Sequence, residues 1–174
     1  MDADSELAAA IEAASSPNWA VRADAGRRLA ARAERADVAA ALRVLLLDAH
    51  DTAVTDATAQ ALVQRGDRDA VRLMAQAVAS ADAEQHDHLY WAIADACGRG
   101  GRLLELCPEL ARDDDLETRA GAELLVSWLA LDAPHGSPPQ VSWALLGRVS
   151  RNSRRRAVRR QLRPGSSRPG AIVA

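Results

Sequence analysis

The sequence predicts an all-helical protein in which about four helical hairpins stack into a right-handed superhelical solenoid. The first observation is a nine-residue pattern that recurs at Val21–Leu29, Val54–Leu62, Leu89–Cys97 and Thr118–Val126. Successive copies begin 33, 35 and 29 residues apart, a period typical of helical repeats that bury their apolar faces only against neighbouring repeats. The second observation is composition, since Ala and Leu dominate, Phe is absent and Tyr occurs once.

Apolar spacing and the residues that interrupt it place the first two helices. A short N-terminal helix carries Leu7 and Ile11 four positions apart on one face. Ser16 is expected to cap the second helix, with Pro17 at its first position. That helix is expected to extend to about Arg32.

The next three helices follow from capping residues and from apolar periodicity. Asp37 is expected to cap the third helix, and Asp51 the fourth. Gly66 is expected to end the fourth helix, because a left-handed residue commonly follows the last helical turn. The fifth helix is placed by its apolar residues: Val71, Met74 and Val78.

The remaining helices are divided by turns and by proline. The sixth is expected to end before Gly98–Gly101, and the seventh to be kinked at Pro108 or to start its first turn there. The acidic run Asp113–Asp115 favours the start of the eighth helix, which is expected to reach about Leu131. A last partner helix is predicted over Val141–Val149.

This pattern resembles HEAT repeats, including the short bacterial type, over roughly residues 3–149. The resemblance is carried by Val21-Arg22 and Leu29, with weaker copies at Val54-Thr55 and Thr118-Arg119. It implies stacked helix pairs whose surface binds another macromolecule. An ankyrin repeat fits less well, because no Thr-Pro-Leu-His segment occurs, and a plain helical bundle stays open as an alternative.

Charge divides the chain into a repeat domain, residues 1–149, and an Arg-rich C-terminal tail, residues 150–174, predicted to be disordered. Residues 1–147 hold all 24 acidic residues and 13 Arg, whereas residues 148–174 hold nine Arg and no acid. The tail could bind nucleic acid, fold back on the acidic domain, or be weakly constrained sequence, and the last two together are favoured. The candidate nucleic-acid-binding residues are Arg151, Arg154, Arg155, Arg156, Arg159 and Arg160.

No pattern in the sequence favours catalysis, a metal site or a cofactor. A Gly-x-Ser-x-Gly motif, a phosphate-binding loop and a His-Glu-x-x-His helix are all missing. His86 and His88 are two positions apart and would point away from each other on a helix, so a solvated helix start is favoured over a metal site. Cys97 and Cys107 are expected to be buried as small apolar residues.

Aromatic and acidic residues supply the candidate protein-binding site. Trp19, and Tyr90 beside Trp91, are candidates for an edge of the repeats where a basic protein partner could reach them, although core filling is the favoured alternative for both tryptophans. Trp128 stands between Val126 and Leu129 and is expected to fill the core. The candidate partner-binding residues are Trp19, Tyr90, Trp91, Asp51, Asp87 and Asp115.

The sequence therefore favours a non-catalytic interaction scaffold or adaptor, which would mask a basic partner in the manner of an immunity protein. The alternative is a nucleic-acid-associated protein that acts through its Arg-rich tail.

The acidic N-terminus predicts no secretory signal. The longest apolar stretch, Ala120–Leu131, is too short to span a bilayer. A cytoplasmic location is expected.

Overall fold

A computed structural model describes residues 3–97 and 102–130, which fold into eight α-helices without a strand among them. The prediction of an all-helical chain is confirmed for these residues. The helices are α1 (Ala3–Ala13), α2 (Trp19–Ala30), α3 (Ala36–Leu46), α4 (Thr52–Arg65), α5 (Arg68–Ser80), α6 (Ala83–Cys97), α7 (Arg102–Leu110) and α8 (Leu116–Ala130). The predicted turn at 98–101, the predicted helix at 141–149, Trp143 and the Arg-rich tail lie outside the described residues.

Helix α4 begins and ends where its sequence predicts. The Asp51 carboxylate accepts a hydrogen bond from the Ala53 amide at 2.9 Å and so satisfies one of the unpaired N–H groups of the first turn. Gly66 follows the last turn in the left-handed conformation, with φ 61°. Its amide donates to the carbonyl of Leu62 at 3.0 Å.

Two other predicted helix starts are wrong. Helix α2 begins at Trp19, and its N-cap is Asn18, which accepts from the Ala20 amide at 2.9 Å. The Ser16 hydroxyl instead accepts from the Asn18 amide at 3.2 Å, so the chain stays non-helical for two residues longer than predicted. Helix α3 follows Arg35, whose guanidinium binds the carboxylate of Asp37 within the first turn.

Helix α7 continues through its proline. Pro108 lies inside the span Arg102–Leu110, so the alternative in which the helix starts at Pro108 is wrong. The Pro108 carbonyl accepts a hydrogen bond from the Arg112 guanidinium at 3.0 Å, just beyond the helix end.

The helices pack in two rows. In the first row α2 packs on α4 and α4 packs on α6; in the second α3 packs on α5 and α5 packs on α8. Helix α4 also contacts α3 and α5 and so joins the rows. The largest fully buried side chains lie in this core: Leu29, Leu42, Leu45, Leu46, Leu62, Met74, Leu89, Ile93, Leu110 and Leu125.

The last described helix joins the second row. Helix α8 packs extensively along α5, also contacts α7, and touches α6 only lightly. The ion pair between Arg43 on α3 and Glu117 on α8, at 2.6 Å, adds a polar contact on the same side. As a result, α6 keeps one long side uncovered by any of the described helices. None of these helices has the combined length and hydrophobicity that crossing a membrane requires.

Small residues allow the closest helix contacts. A Cβ atom added to Gly121 on α8 would lie 1.7 Å from the carbonyl oxygen of Ala75 on α5. A Cβ added to Gly26 on α2 would lie 2.2 Å from Oγ1 of Thr58 on α4. The first obstacle is backbone and the second is a side chain, so only the second can be removed by substitution.

We predict that Gly121→Ala lowers the free energy of unfolding by at least about 2 kcal/mol, because overpacking outweighs the gain in helix propensity. Gly26→Ala should also destabilise the protein, but the double variant Gly26→Ala with Thr58→Ala should recover most of the loss. Urea unfolding of the three variants and the wild type measures these differences. A Gly121→Ala variant as stable as the wild type would contradict the close approach of α5 and α8.

Candidate protein-binding surface

A buried ion pair fixes the start of α2 to the turn between α3 and α4. The Arg22 guanidinium donates to both carboxylate oxygens of Asp48, at 2.7 and 3.1 Å, and to the carbonyl of Ser16 at 2.8 Å. The side chains of Arg22 and Asp48 are only 9% and 6% exposed. The Asp48 carboxylate also accepts from the amides of His50 and Asp51, both at 2.9 Å. Asp48 is therefore part of the scaffold rather than of an accessible acidic rim.

The pKa of Asp48 is set by opposing effects. Burial alone would raise it, but the hydrogen bond from Arg22 and the amides of His50 and Asp51 outweigh burial and hold the pKa below its ordinary value of 3.8. The same hydrogen bond raises the pKa of Arg22. Both groups are thus charged in the folded protein at neutral pH.

Other acidic residues at the turns also serve the fold. The Asp115 carboxylate accepts from the amide of Thr118 at 3.0 Å, from its hydroxyl at 2.5 Å, and from Nε2 of Gln76 at 3.1 Å. These contacts, led by the Thr118 hydroxyl, lower the pKa of Asp115. Asp113 is bound by the guanidinium groups of Arg72 and Arg68. Among the predicted binding residues, Asp51 and Asp115 therefore act as the caps of α4 and α8.

Trp19 lies at a groove that also contains Asp51. The groove has a volume of about 580 Å³ and is lined by Trp19, Val44, Leu47, Asp51 and other residues of the same turns. Trp19 is 51% exposed and Val44 66% exposed. The Trp19 groove thus combines two accessible apolar groups with the carboxylate that caps α4.

Trp91 lies at the centre of a second exposed patch. Asp87, Trp91 and Asp95 are spaced four apart on α6, so they form one stripe, and all three are exposed. Asp56 is exposed on the neighbouring helix α4. These four residues are called the Trp91 surface below. Trp91 itself is 56% exposed.

Trp91 is supported from inside the protein by a chain of aromatic rings. Tyr90 is half-buried and packs edge-on against Trp91, with ring centroids 5.1 Å apart, and against Trp128 at 5.5 Å. Trp128 is 5% exposed, which confirms its predicted place in the core. Its ring also meets His86 edge-on at 5.3 Å. Tyr90, predicted to bind a partner, lies between the exposed indole and the core.

The interpretation of His86 as part of a solvated helix start is wrong. The side chain is buried, and its Nε2 lies 2.8 Å from the carbonyl oxygen of Val78. Burial lowers the pKa of His86 and favours the neutral ring. Edge packing with Trp128 makes the imidazole part of the core, and the sequence spacing around His86 gave no sign of that contact.

The Trp91 surface carries negative charge that no neighbouring arginine neutralises. The carboxylates of Asp56, Asp87 and Asp95 make no hydrogen bond and no ion pair within residues 3–97 and 102–130. The pKa of Asp56 is raised, first by partial burial and then by the negative charge of Asp95, against a smaller opposing effect of His88. Repulsion between carboxylates on adjacent helices is therefore a property of the unbound surface.

Comparisons with protein families, curated proteins and solved structures find no match to this chain. The likeness of the sequence to HEAT repeats therefore depends on the residue pattern alone.

The exposed residues Val44, Asp56 and Asp95 of these surfaces were not predicted. The spacing of Asp95 from Trp91 on a helix would have identified it. Asp56 could have been found from the repeat, because it lies 35 residues before Trp91 and so holds the equivalent position one copy earlier. Val44 faces outward on a helix whose other large aliphatic residues are mostly buried, and no local pattern marks it.

The described residues contain no group of three or more His, Cys, Asp or Glu side chains placed to hold a metal ion. Cys107 is fully buried, as predicted, whereas Cys97 is half-buried. Burial raises the pKa of Cys107 to about 11, with a smaller contribution from nearby Cys97, and burial also raises the pKa of Cys97. Because the thiolate is the reactive form, neither environment activates its thiol.

We predict that Asp48→Asn lowers the free energy of unfolding by roughly 2 to 3 kcal/mol, since it leaves the Arg22 guanidinium buried without its counter-charge. Asp37→Asn, which alters the exposed pair with Arg35, is the matched control and should change stability little. Chemical unfolding at pH 7 compares the two. Equal losses from both variants would contradict a special role for the buried pair.

The same pair predicts a pH dependence. Because the folded-state pKa of Asp48 lies below 3.8, the unfolded chain binds a proton at a higher pH than the folded protein does. The stabilisation is complete above the ordinary pKa and is lost as the pH falls through the folded-state pKa. Between pH 6 and pH 3, the stability difference between wild type and Asp48→Asn should shrink. A constant difference over that range would show that Asp48 does not contribute this dependence.

We predict slow alkylation of Cys107 in the folded protein. At pH 8, iodoacetamide should modify Cys97 before Cys107, because Cys107 is fully buried and its pKa is about 11. Mass spectrometry of time points locates the modified thiol, and Cys97→Ser should remove most of the early reaction. Rapid modification of Cys107 without unfolding would contradict its burial.

Proposed function

We propose that this protein is a non-catalytic interaction protein, a HEAT-like helical-repeat scaffold that binds another protein through the row formed by α2, α4 and α6. The observation that carries the proposal is the exposure of two tryptophans, Trp19 on α2 and Trp91 on α6, at 51% and 56%. Both helices pack on α4. Large aromatic side chains dominate the energetics of protein interfaces, and leaving them in water is unfavourable.

The charge of the chain favours a basic partner. Residues 1–147 carry 24 acidic residues against 13 Arg, and the Trp91 surface leaves three carboxylates unpaired within the described residues. Such a surface accelerates encounter with a positively charged protein and disfavours acidic ones. An adaptor, or an immunity-like protein that masks a basic partner in the bacterial cytoplasm, fits these properties.

A second candidate function is supported by one feature of the sequence. The nine arginines of residues 148–174 occur without an acid among them, which is typical of segments that bind nucleic acid by neutralising phosphates. The acidic residues of the repeat domain would repel phosphates. Nucleic-acid binding would therefore depend on the Arg-rich tail. The proposed protein-binding function does not depend on the tail.

We expect a nuclease-resistant protein partner to be captured from native lysate by the full-length chain. Trp19→Ala or Trp91→Ala should reduce its recovery about tenfold or more, as loss of an interface anchor does. Leu116→Ala is the matched control, because Leu116 is 65% exposed on α8, outside the α2–α4–α6 row. Circular dichroism verifies that each variant is folded.

Two outcomes would contradict the proposal. Recovery that disappears after nuclease treatment would favour the tail and nucleic acid. Recovery that is equal for all three variants would show that the exposed tryptophans do not form the binding surface.

A further inference from the structure

We infer that the Trp91 surface binds an arginine side chain of the partner, with the guanidinium stacked on the Trp91 indole and paired with the surrounding carboxylates. This inference rests on the proposed protein-binding function and specifies the chemistry of its partner. The occupant is a segment of a protein that presents an exposed arginine.

The geometry places negative charge on several sides of the indole. Asp87 and Asp95 lie one helical turn before and after Trp91, and residues at this spacing have Cβ atoms about 6 Å apart. Asp56 lies on the adjacent helix at the equivalent repeat position. The charge of Asp95 acts on Asp56 across the two helices, which are in contact, so the Asp56 carboxylate lies near the α6 stripe. A cation over the indole would thus have carboxylates within reach along and across the helix.

The indole is held in place before a partner arrives. Its edge contact with Tyr90, at 5.1 Å, is backed by the contact between Tyr90 and Trp128 at 5.5 Å. Trp128 belongs to the core. Because this aromatic chain restricts Trp91, little side-chain entropy is lost when a partner binds.

At several other places in the described residues, carboxylates are paired with an arginine of the chain, which the Trp91 surface lacks. Asp48 is paired with Arg22 at 2.7 Å, and Glu117 with Arg43 at 2.6 Å. Arg65 similarly joins Glu34 and Asp67, at 2.8 and 2.7 Å. In each of these places an arginine neutralises at least one acid that lies on another helix or turn of the chain. At the Trp91 surface the described residues supply the acids and the aromatic ring but no arginine.

Arginine fits this arrangement better than lysine. Its planar guanidinium can stack on an indole while its N–H groups donate to carboxylates at the edge, whereas an ammonium group is a compact and strongly hydrated charge. A bound guanidinium would also relieve the repulsion between Asp56 and Asp95 that contributes to the raised pKa of Asp56. A delocalised cation would therefore stabilise this surface more than an apolar group would.

Fluorescence anisotropy with the full-length protein tests the inference. The probe is a fluorescein-labelled peptide, acetylated and amidated, of sequence Ser-Gly-Arg-Ala-Leu-Arg-Gly-Ser. Two matched peptides replace both arginines by citrulline, an uncharged group of the same shape, or by lysine. We expect the arginine peptide to bind at least tenfold more tightly than the citrulline peptide and about threefold or more tighter than the lysine peptide, at 50 mM salt.

Variants locate the binding. Trp91→Ala should weaken binding of the arginine peptide at least tenfold, and Asp95→Asn about fivefold. Asp24→Asn removes the same charge from an exposed position on α2 and should leave affinity within twofold. Leu116→Ala, which alters an exposed apolar residue on α8 outside the α2–α4–α6 row, should also leave it within twofold.

Each contrary result overturns a defined part of the inference. Equal binding of the citrulline or lysine peptide would remove the arginine assignment, and equal losses from Asp24→Asn and Asp95→Asn would reduce it to general attraction by an acidic protein. If the lysate partner depends on Trp91 but the arginine peptide does not bind, the protein-binding function stands and the arginine site is wrong. If the peptide binds at Trp91 but no protein partner is recovered, the proposed function fails instead.

Discussion

The structure depends on how closely its helices approach one another. Helices α5 and α8 meet at Ala75 and Gly121 with no space for one added carbon, and α2 meets α4 at Gly26 and Thr58 under a similar restriction. Such contacts bring backbone atoms together, and many alanines with short side chains lie among the buried residues of the core. The attraction between each pair of packed atoms is weak, but its sum over a densely packed core is large. A core of this kind is stable only if large side chains are kept away from the closest crossings.

That restriction explains where the tryptophans lie. Helix α8 packs mainly along α5 and only lightly against α6, so Trp128 finds space near α6, beside His86 and Tyr90. Trp91 follows Tyr90 directly in sequence and points to the side of α6 that no described helix covers. One aromatic cluster thus reaches from the core to the surface. The packing that buries Trp128 leaves Trp91 exposed. Trp91 lies at the centre of the proposed binding surface.

The sequence predicts the helices well because their apolar spacing is strong and because Asp51 and Gly66 have well-defined capping roles. It predicts the starts of α2 and α3 less well. Asn18 caps α2 although Ser16 lies close by. Asp37 pairs with Arg35 instead of capping α3. Core filling is the interpretation that the sequence favours for Trp19 and Trp91, and their exposure in the structure corrects it. The support that Tyr90 gives to Trp91, and the burial of His86, depend on α8 and therefore on contacts distant in sequence.

The acidic residues separate into two groups by position, and the difference bears on function. Those at turns, such as Asp48 and Asp115, accept amide hydrogen bonds that helix starts require, so their presence follows from the fold. Asp95 lies near the end of α6, where a negative charge opposes the helix dipole and where Asp has low helix propensity. Its contribution to the stability of the unbound helix is unfavourable by a few tenths of a kcal/mol, and Asp56 on α4 adds repulsion. A cation from the proposed partner would compensate for these carboxylates, which lie against local stability beside an exposed indole.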